Sequence, residues 1–252
     1  MDPQPHMSKL SDFIQGKTDE LPDPIKFSTK VRAIYYLIGD YYFKQREFTR
    51  CIKYFLMDLC INPTRVDSWA CVGLSYLSQL ENKLNYCKKL RSEMEFLDKA
   101  KCAQISFRQA LEIEKDHIML WIEFGSFEYM VHSFCSRVMK SESDTLSMER
   151  FEYLENQKNN YLESSGGSFE KAIQLYQPDE VDPDERWLQY YILGKVAEKK
   201  QEEPQAYLKY YVMVSELWMM FLFPDCKLSF RLCLISLFFE FSILPIFEFS
   251  IF

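Results

Sequence analysis

Glycine is scarce, at seven of 252 residues. A turn-rich β protein needs more, because tight turns call for residues that tolerate positive φ. Histidine is scarcer still, with three. The chain holds no CxxC pair, GxGxxG, P-loop or serine nucleophile elbow. The usual spacings for metal, dinucleotide, phosphate and acyl-transfer chemistry are therefore absent. Basic charge is also short. The formal net charge is −7 and no basic stripe occurs, which argues against binding a nucleic-acid duplex by phosphate neutralisation.

What is present is apolar and periodic. Hydrophobic residues make up 48% of the chain, enough for a continuous core. Tyr35, Gly39 and Tyr42 are echoed by Trp69, Gly73 and Tyr76, each 34 residues later. That spacing is the period of the tetratricopeptide repeat, a helix-turn-helix unit that stacks into a solenoid. The expected fold is thus all-α, a tetratricopeptide-repeat solenoid of three to four hairpins with long insertions.

In the first repeat Tyr35 and Tyr42 share one face of helix A, and Gly39 lets helix B approach. Helix B supplies Cys51 and Phe55, and Pro63 ends it. Asp58 stands where alanine is usual. In the second repeat helix B arrives late, at Ala103, Phe107 and Ala110. The next helix A brings Trp121, Phe124 and Gly125, and Gly125 follows Gly73 by one period plus 18 residues. This predicts an insertion near 81–98, a solvated and partly helical excursion carrying the run Lys88-Lys89-Leu90-Arg91. A third repeat reaches Gly194 with a second insertion near 140–157, and Gly166 and Gly167 fall inside its helix B. Each costs roughly 1 kcal/mol relative to alanine there. A fourth hairpin starts at Trp187, and Pro204 suits the first turn of its second helix.

Residues 1–29 carry four prolines and read as a partly disordered lead-in, with a short helix around 10–15. The array occupies 30–218. Residues 219–252 lose the repeat pattern and hold 9 of the 21 phenylalanines. Arg231, Glu240, Glu248 and Pro245 argue against a membrane span. The preferred reading of this tail is a gene-model artefact in place of the true continuation, since solenoids end in polar-faced caps. The eight cysteines sit mostly on apolar helical positions and read as buried free thiols of a reducing compartment.

Helix A lines the groove of such an array. The candidate groove residues are Tyr36, Asp40, Phe43 and Lys44, then Leu74, then Ile122 and Tyr129. Asp40 would repel a peptide carboxylate, which speaks against a heat-shock-protein adaptor. His117 and His132 lack a second ligand at suitable spacing. The acidic run from Asp179 to Glu185 lacks the glycine and the terminal glutamate of a calcium loop. No catalytic, cofactor-binding or metal residue is expected, and the partners expected are proteins, not nucleic acid.

Four stretches carry a further resemblance. They are Tyr35-Tyr36-Leu37-Ile38-Gly39-Asp40-Tyr41-Tyr42-Phe43-Lys44, the run from Asp58 to Ala70, Phe107-Arg108-Gln109-Ala110-Leu111-Glu112-Ile113, and the run from Leu193 to Lys199. Over residues 21–217 the chain resembles the calcineurin-binding protein Cabin family, including Asp58 and the insertion before Ala103. The resemblance implies a nuclear, non-catalytic scaffold subunit of an HIR-type histone chaperone complex, acting in replication-independent nucleosome assembly and chromatin organisation. Its implied partners are the other chaperone subunits, with histones as candidates. Family members are far longer, so the resemblance implies an internal fragment lacking the family's calcineurin-binding segment. The alternative function is a tail-anchored tetratricopeptide adaptor at a membrane.

Overall fold

The computed structural model describes residues 4–25, 33–86, 93–142, 146–176 and 186–222. These residues form helices α1 (Gln4–Ile14), α2 (Ile34–Lys44), α3 (Phe48–Ile61), α4 (Val66–Tyr86) and α5 (Glu93–Ile113). They continue as α6 (Ile118–Ser141), α7 (Met148–Leu175), α8 (Arg186–Lys199) and α9 (Pro204–Leu222), with no strand among the described residues. Two compact units result, residues 1–165 and 166–252.

In the first unit α2 pairs with α3, and α4 pairs with α5. Glycine sets both pairings. A Cβ on Gly39 would lie 3.0 Å from the Phe55 ring, and one on Gly73 would lie 3.1 Å from Phe107. Each aromatic ring therefore fills the space a side chain would have taken. At Gly125 the same helix face carries a hydrogen bond: Ser165 Oγ donates to the Gly125 carbonyl at 2.9 Å. In the second unit Gly194 meets Tyr211, whose ring would stand 2.6 Å from an added Cβ. Tyr211 also donates its hydroxyl to Glu198 at 3.0 Å.

The indoles add a second repeated device. Trp69 Nε1 donates to the Pro63 carbonyl at 2.8 Å, and Trp121 Nε1 donates to the Lys115 carbonyl at 2.7 Å. In each case the acceptor lies six residues earlier, in the turn that leads from helix B into the next helix A. The bond satisfies a carbonyl that the helix has released.

The insertions are more helical than a loop reading suggests. Residues 81–86 continue α4, and residues 93–98 open α5. Phe96 and Leu97 are buried, and Phe96 stacks on Phe134 at 3.9 Å between centroids. The excursion expected to be solvated thus contributes to the core, because Phe96, Leu97 and Ala100 share an apolar face. Lys83 Nζ ties the two helices through Glu95 at 2.6 Å. The Lys88–Arg91 run lies outside the described residues. In the second insertion residues 148–157 belong to α7, with Leu154 buried. Gly166 and Gly167 sit inside α7, and Gly166 would bring a Cβ to 3.2 Å from Val196.

The lead-in is also built into the core. Leu10, Phe13 and Ile14 of α1 are buried, and Phe13 meets Trp69 edge-on at 6.3 Å. Gly16, at φ 65°, takes the left-handed conformation that ends α1. Downstream, Ile25 N donates to the Cys60 carbonyl at 2.8 Å. The three apolar residues at helical spacing outweigh the prolines around them. Of the tail, residues 219–222 close α9, and 223–252 lie outside the described residues.

Cys51, Cys60, Cys102 and Cys135 are buried free thiols. Burial pushes Cys51 and Cys60 up to about 11 and Cys135 up to about 12. An unfolded chain ionises its thiols near pH 8.5. The folded state therefore holds the protons more tightly. This stability is fully present below about pH 8.5 and is lost as pH rises through the folded values. The urea midpoint is expected to fall steadily above about pH 9. At neutral pH, iodoacetamide followed by peptide mass mapping should label these four only after unfolding, since the thiolate is the reactive form. Fast labelling of any of them in native protein would contradict the burial.

Candidate protein-binding face

The face is built from the exposed sides of α2, α4 and α6. Helix periodicity turns Tyr35 and Gly39 inward and leaves Tyr36 and Asp40 on the adjoining side. Tyr36 is half-buried and meets Phe55 edge-on at 5.8 Å. The Arg65 guanidinium lies over its ring, 5.0 Å from the centroid. Burial raises the Tyr36 hydroxyl above the ordinary phenol value, and Asp67, Cys71 and Asp40 raise it further. These groups from α2 and α4 therefore share one electrostatic neighbourhood.

Asp40 and Lys44 form an ion pair at 2.7 Å along the exposed side of α2. The bond to Asp40 raises the Lys44 ammonium above its usual value. Phe43 turns to the start of α3, meeting Phe48 at 6.1 Å. Leu74 is half-buried and packs on the core. Ile122 is half-buried on α6. Tyr129 leans on His132 of its own helix at 5.8 Å. The structure thus gathers Tyr36, Asp40 and Lys44 beside Asp67, while Phe43 and Tyr129 pack locally.

Three contributors escaped the sequence reading. Arg65 reaches Tyr36 because Asp58 fixes it. The Asp58 carboxylate is fully buried and accepts from Arg65 at 3.0 Å, from Ser68 at 2.7 Å and from Asn62 at 3.3 Å. Glu81 and Glu123 are the other two, one on α4 and one on α6. Partial desolvation raises both carboxyls, and Glu123 raises Glu81 further by charge. Both side chains still reach solvent. Only a spatial reading could pair them, since the insertion near 81–98 hides their register. Two acidic pairs result, Asp40 with Asp67 around Tyr36 at the start of α4 and Glu81 with Glu123 towards its end, with Lys44 offsetting Asp40.

The histidines serve the helices. His117 caps α6, its Nδ1 accepting from Leu120 N at 3.2 Å. His132 is buried and bonds the Lys158 carbonyl through Nδ1 at 2.9 Å. Among the described residues no group of three or more His, Cys, Asp or Glu could hold a metal ion. Among those residues, too, no helix is long and apolar enough to cross a membrane.

No family model matches the chain. Among solved structures, a MamA protein is 15% identical, with 79% of this chain and 98% of that one covered, at a TM-score of 0.35. MamA from residue 41 onward, from Desulfovibrio magneticus, is 14% identical over 76% of this chain and 97% of that one, at 0.32. PilF of Pseudomonas aeruginosa is 16% identical over 84% of this chain and 85% of that one, at 0.32. Among the described residues the chain is all-helical, and its helix pairs, closed at Gly39 and Gly73, make a tetratricopeptide-type fold.

Proposed function

We propose that the chain is a non-catalytic protein-interaction scaffold of a nuclear histone chaperone complex, working in replication-independent nucleosome assembly. The observation that carries the reading is the acidic face of α2, α4 and α6. Asp40, Asp67, Glu81 and Glu123 offer two acidic pairs beside apolar and aromatic contacts from Tyr36, Leu74 and Ile122. Such a face attracts basic partners, and charge complementarity raises both encounter rate and selectivity. The resemblance of residues 21–217 to the Cabin family supplies the identity of the complex.

The test is capture from nuclear extract with the tagged full chain, read by mass spectrometry. The expected result is recovery of the WD-repeat chaperone subunit together with histones. Histone recovery should fall in the quadruple variant Asp40→Asn, Asp67→Asn, Glu81→Gln, Glu123→Gln, while circular dichroism stays the same. Recovery of heat-shock proteins or trafficking factors instead would overturn the reading.

A further inference from the structure

The lead-in helix sits on the array as a bound peptide would. α1 packs on α3 and α5, the second helices of two successive hairpins, rather than on α2, which follows it in sequence. Its anchors are Leu10, Phe13 and Ile14, all buried, with Met7 half-buried beside them. Met7, Leu10 and Ile14 stand at i, i+3 and i+7, the spacing by which an amphipathic helix fills an apolar groove. Phe13 meets the indole of Trp69 on α4 at 6.3 Å. Just past the helix, Lys101 Nζ of α5 donates to the Gly16 carbonyl at 3.5 Å.

The segment that follows is a loose tether. Residues 17–21, 23 and 24 are exposed. The chain re-enters the core at Ile25, whose N–H bonds the Cys60 carbonyl of α3 at 2.8 Å. An open hollow of about 810 Å³ lies between tether and helix, lined by His6, Lys9 and Asp12 of α1 and by Thr18, Glu20 and Asp23. The tether therefore does not clamp the polar side of α1. Its ion pair there, Lys17 with Asp12 at 3.4 Å, is solvent-exposed on both sides. A helix of 11 residues is marginal alone in water, so α1 owes its helical form to its seat.

We infer that α1 is a strap. It occupies in cis a helix-binding groove made by α3, α5 and Trp69, opens on its tether while the array stays folded, and shuts that groove against an amphipathic helix of like chemistry. α1 itself states that chemistry: about three turns, an aromatic ring facing Trp69, aliphatic or thioether side chains at i, i+3 and i+7, and a polar outer side. The inference does not rest on the chaperone reading, because the groove is apolar and uses none of the four carboxylates named there.

Hydrogen exchange of the full chain, read by mass spectrometry over a series of low urea concentrations, tests the opening. Amides of α1 should exchange at least about tenfold faster than those of α3 and α5, at a rate that urea hardly changes, as local opening requires. Equal protection of α1 and α3 would show that α1 leaves only when the whole unit unfolds, and would overturn the strap. The groove is tested with a fluorescein-labelled peptide of residues 4–17, titrated with the full chain and followed by anisotropy. The double variant Leu10→Asp, Ile14→Asp of the chain should bind it about tenfold or more tighter than wild type, since a tethered competitor at roughly millimolar effective concentration is removed. The peptide with Phe13→Asp should bind neither. Equal affinity of wild type and a double variant that keeps the circular dichroism of the other helices overturns occupancy in cis; if that variant does not fold, the exchange rates decide. A wild-type dimer that the double variant returns to monomer would seat α1 on a second copy, and would also overturn it.

Discussion

Replacing Asp58 by alanine is expected to destabilise the protein by about 3 kcal/mol, although alanine is the residue the repeat pattern favours there. The carboxylate is fully buried and holds three donors from the turn and the next helix. Removing one partner of such a group costs about 3–5 kcal/mol, chiefly because the remaining groups stay desolvated and unsatisfied. Ser68 is fully buried and bears that loss fully, whereas the Arg65 side chain is 25% exposed and can recover water. The lower end of the range therefore applies. Replacing Arg65 as well, in Asp58→Ala with Arg65→Met, should recover part of the loss, since no buried charge is then left over. Urea unfolding by far-ultraviolet circular dichroism measures both. An Asp58→Ala midpoint equal to or above wild type would show that the repeat consensus outweighs the carboxylate network.

Asp58 also marks where the sequence was legible and where it was not. Gly39 and Gly73 stood out because they lie one period apart, and they, like Gly194, prove to sit under an aromatic ring. The ends of helix A did not stand out. α2 stops because Arg46 adopts φ 58°, with Glu47 N bonding the Tyr42 carbonyl at 3.0 Å. α8 stops the same way at Gln201, φ 57°, with Glu202 N bonding the Ala197 carbonyl at 3.1 Å. Both left-handed residues come seven positions after the helix A glycine, yet neither is a glycine. A left-handed cap is usually signalled by glycine, so neither turn was announced by its residues.

The same register explains the long helices. Seven positions after Gly73 and Gly125 stand Leu80 and His132, and both are buried. A buried side chain there keeps the helix running, while exposed Arg46 and Gln201 let the chain turn. The insertions were legible as extra length and illegible as structure, because their apolar residues pack on partners far away in sequence. Phe96 on Phe134 is one such pair. The binding face was legible in the same partial way. Helix periodicity placed Tyr36 and Asp40, but the approach of Arg65, and of Glu81 to Glu123, depends on how neighbouring hairpins stack.

Trp69→Ala is expected to be the most damaging single truncation, at about 4 kcal/mol. The indole is fully buried, touches Phe13 of α1 and donates to the Pro63 carbonyl. It therefore joins the lead-in helix, the first hairpin's exit turn and the second hairpin. Trp121 holds the same repeat position and makes the same kind of bond, but its side chain is only half-buried. Its truncation should cost clearly less. The two phenylalanine variants separate the hydrogen bond from the packing. Each should lose about 1 kcal/mol for the missing N–H donor, the net worth of one intramolecular hydrogen bond. Trp69→Phe should lose somewhat more than Trp121→Phe, since its fully buried site is left with a cavity, but the gap should be smaller than between the two alanine variants. Far-ultraviolet circular dichroism in urea gives all four. Equal losses for Trp69→Ala and Trp121→Ala would mean that the turn bond, common to both, dominates, and that packing of α1 on Trp69 contributes little.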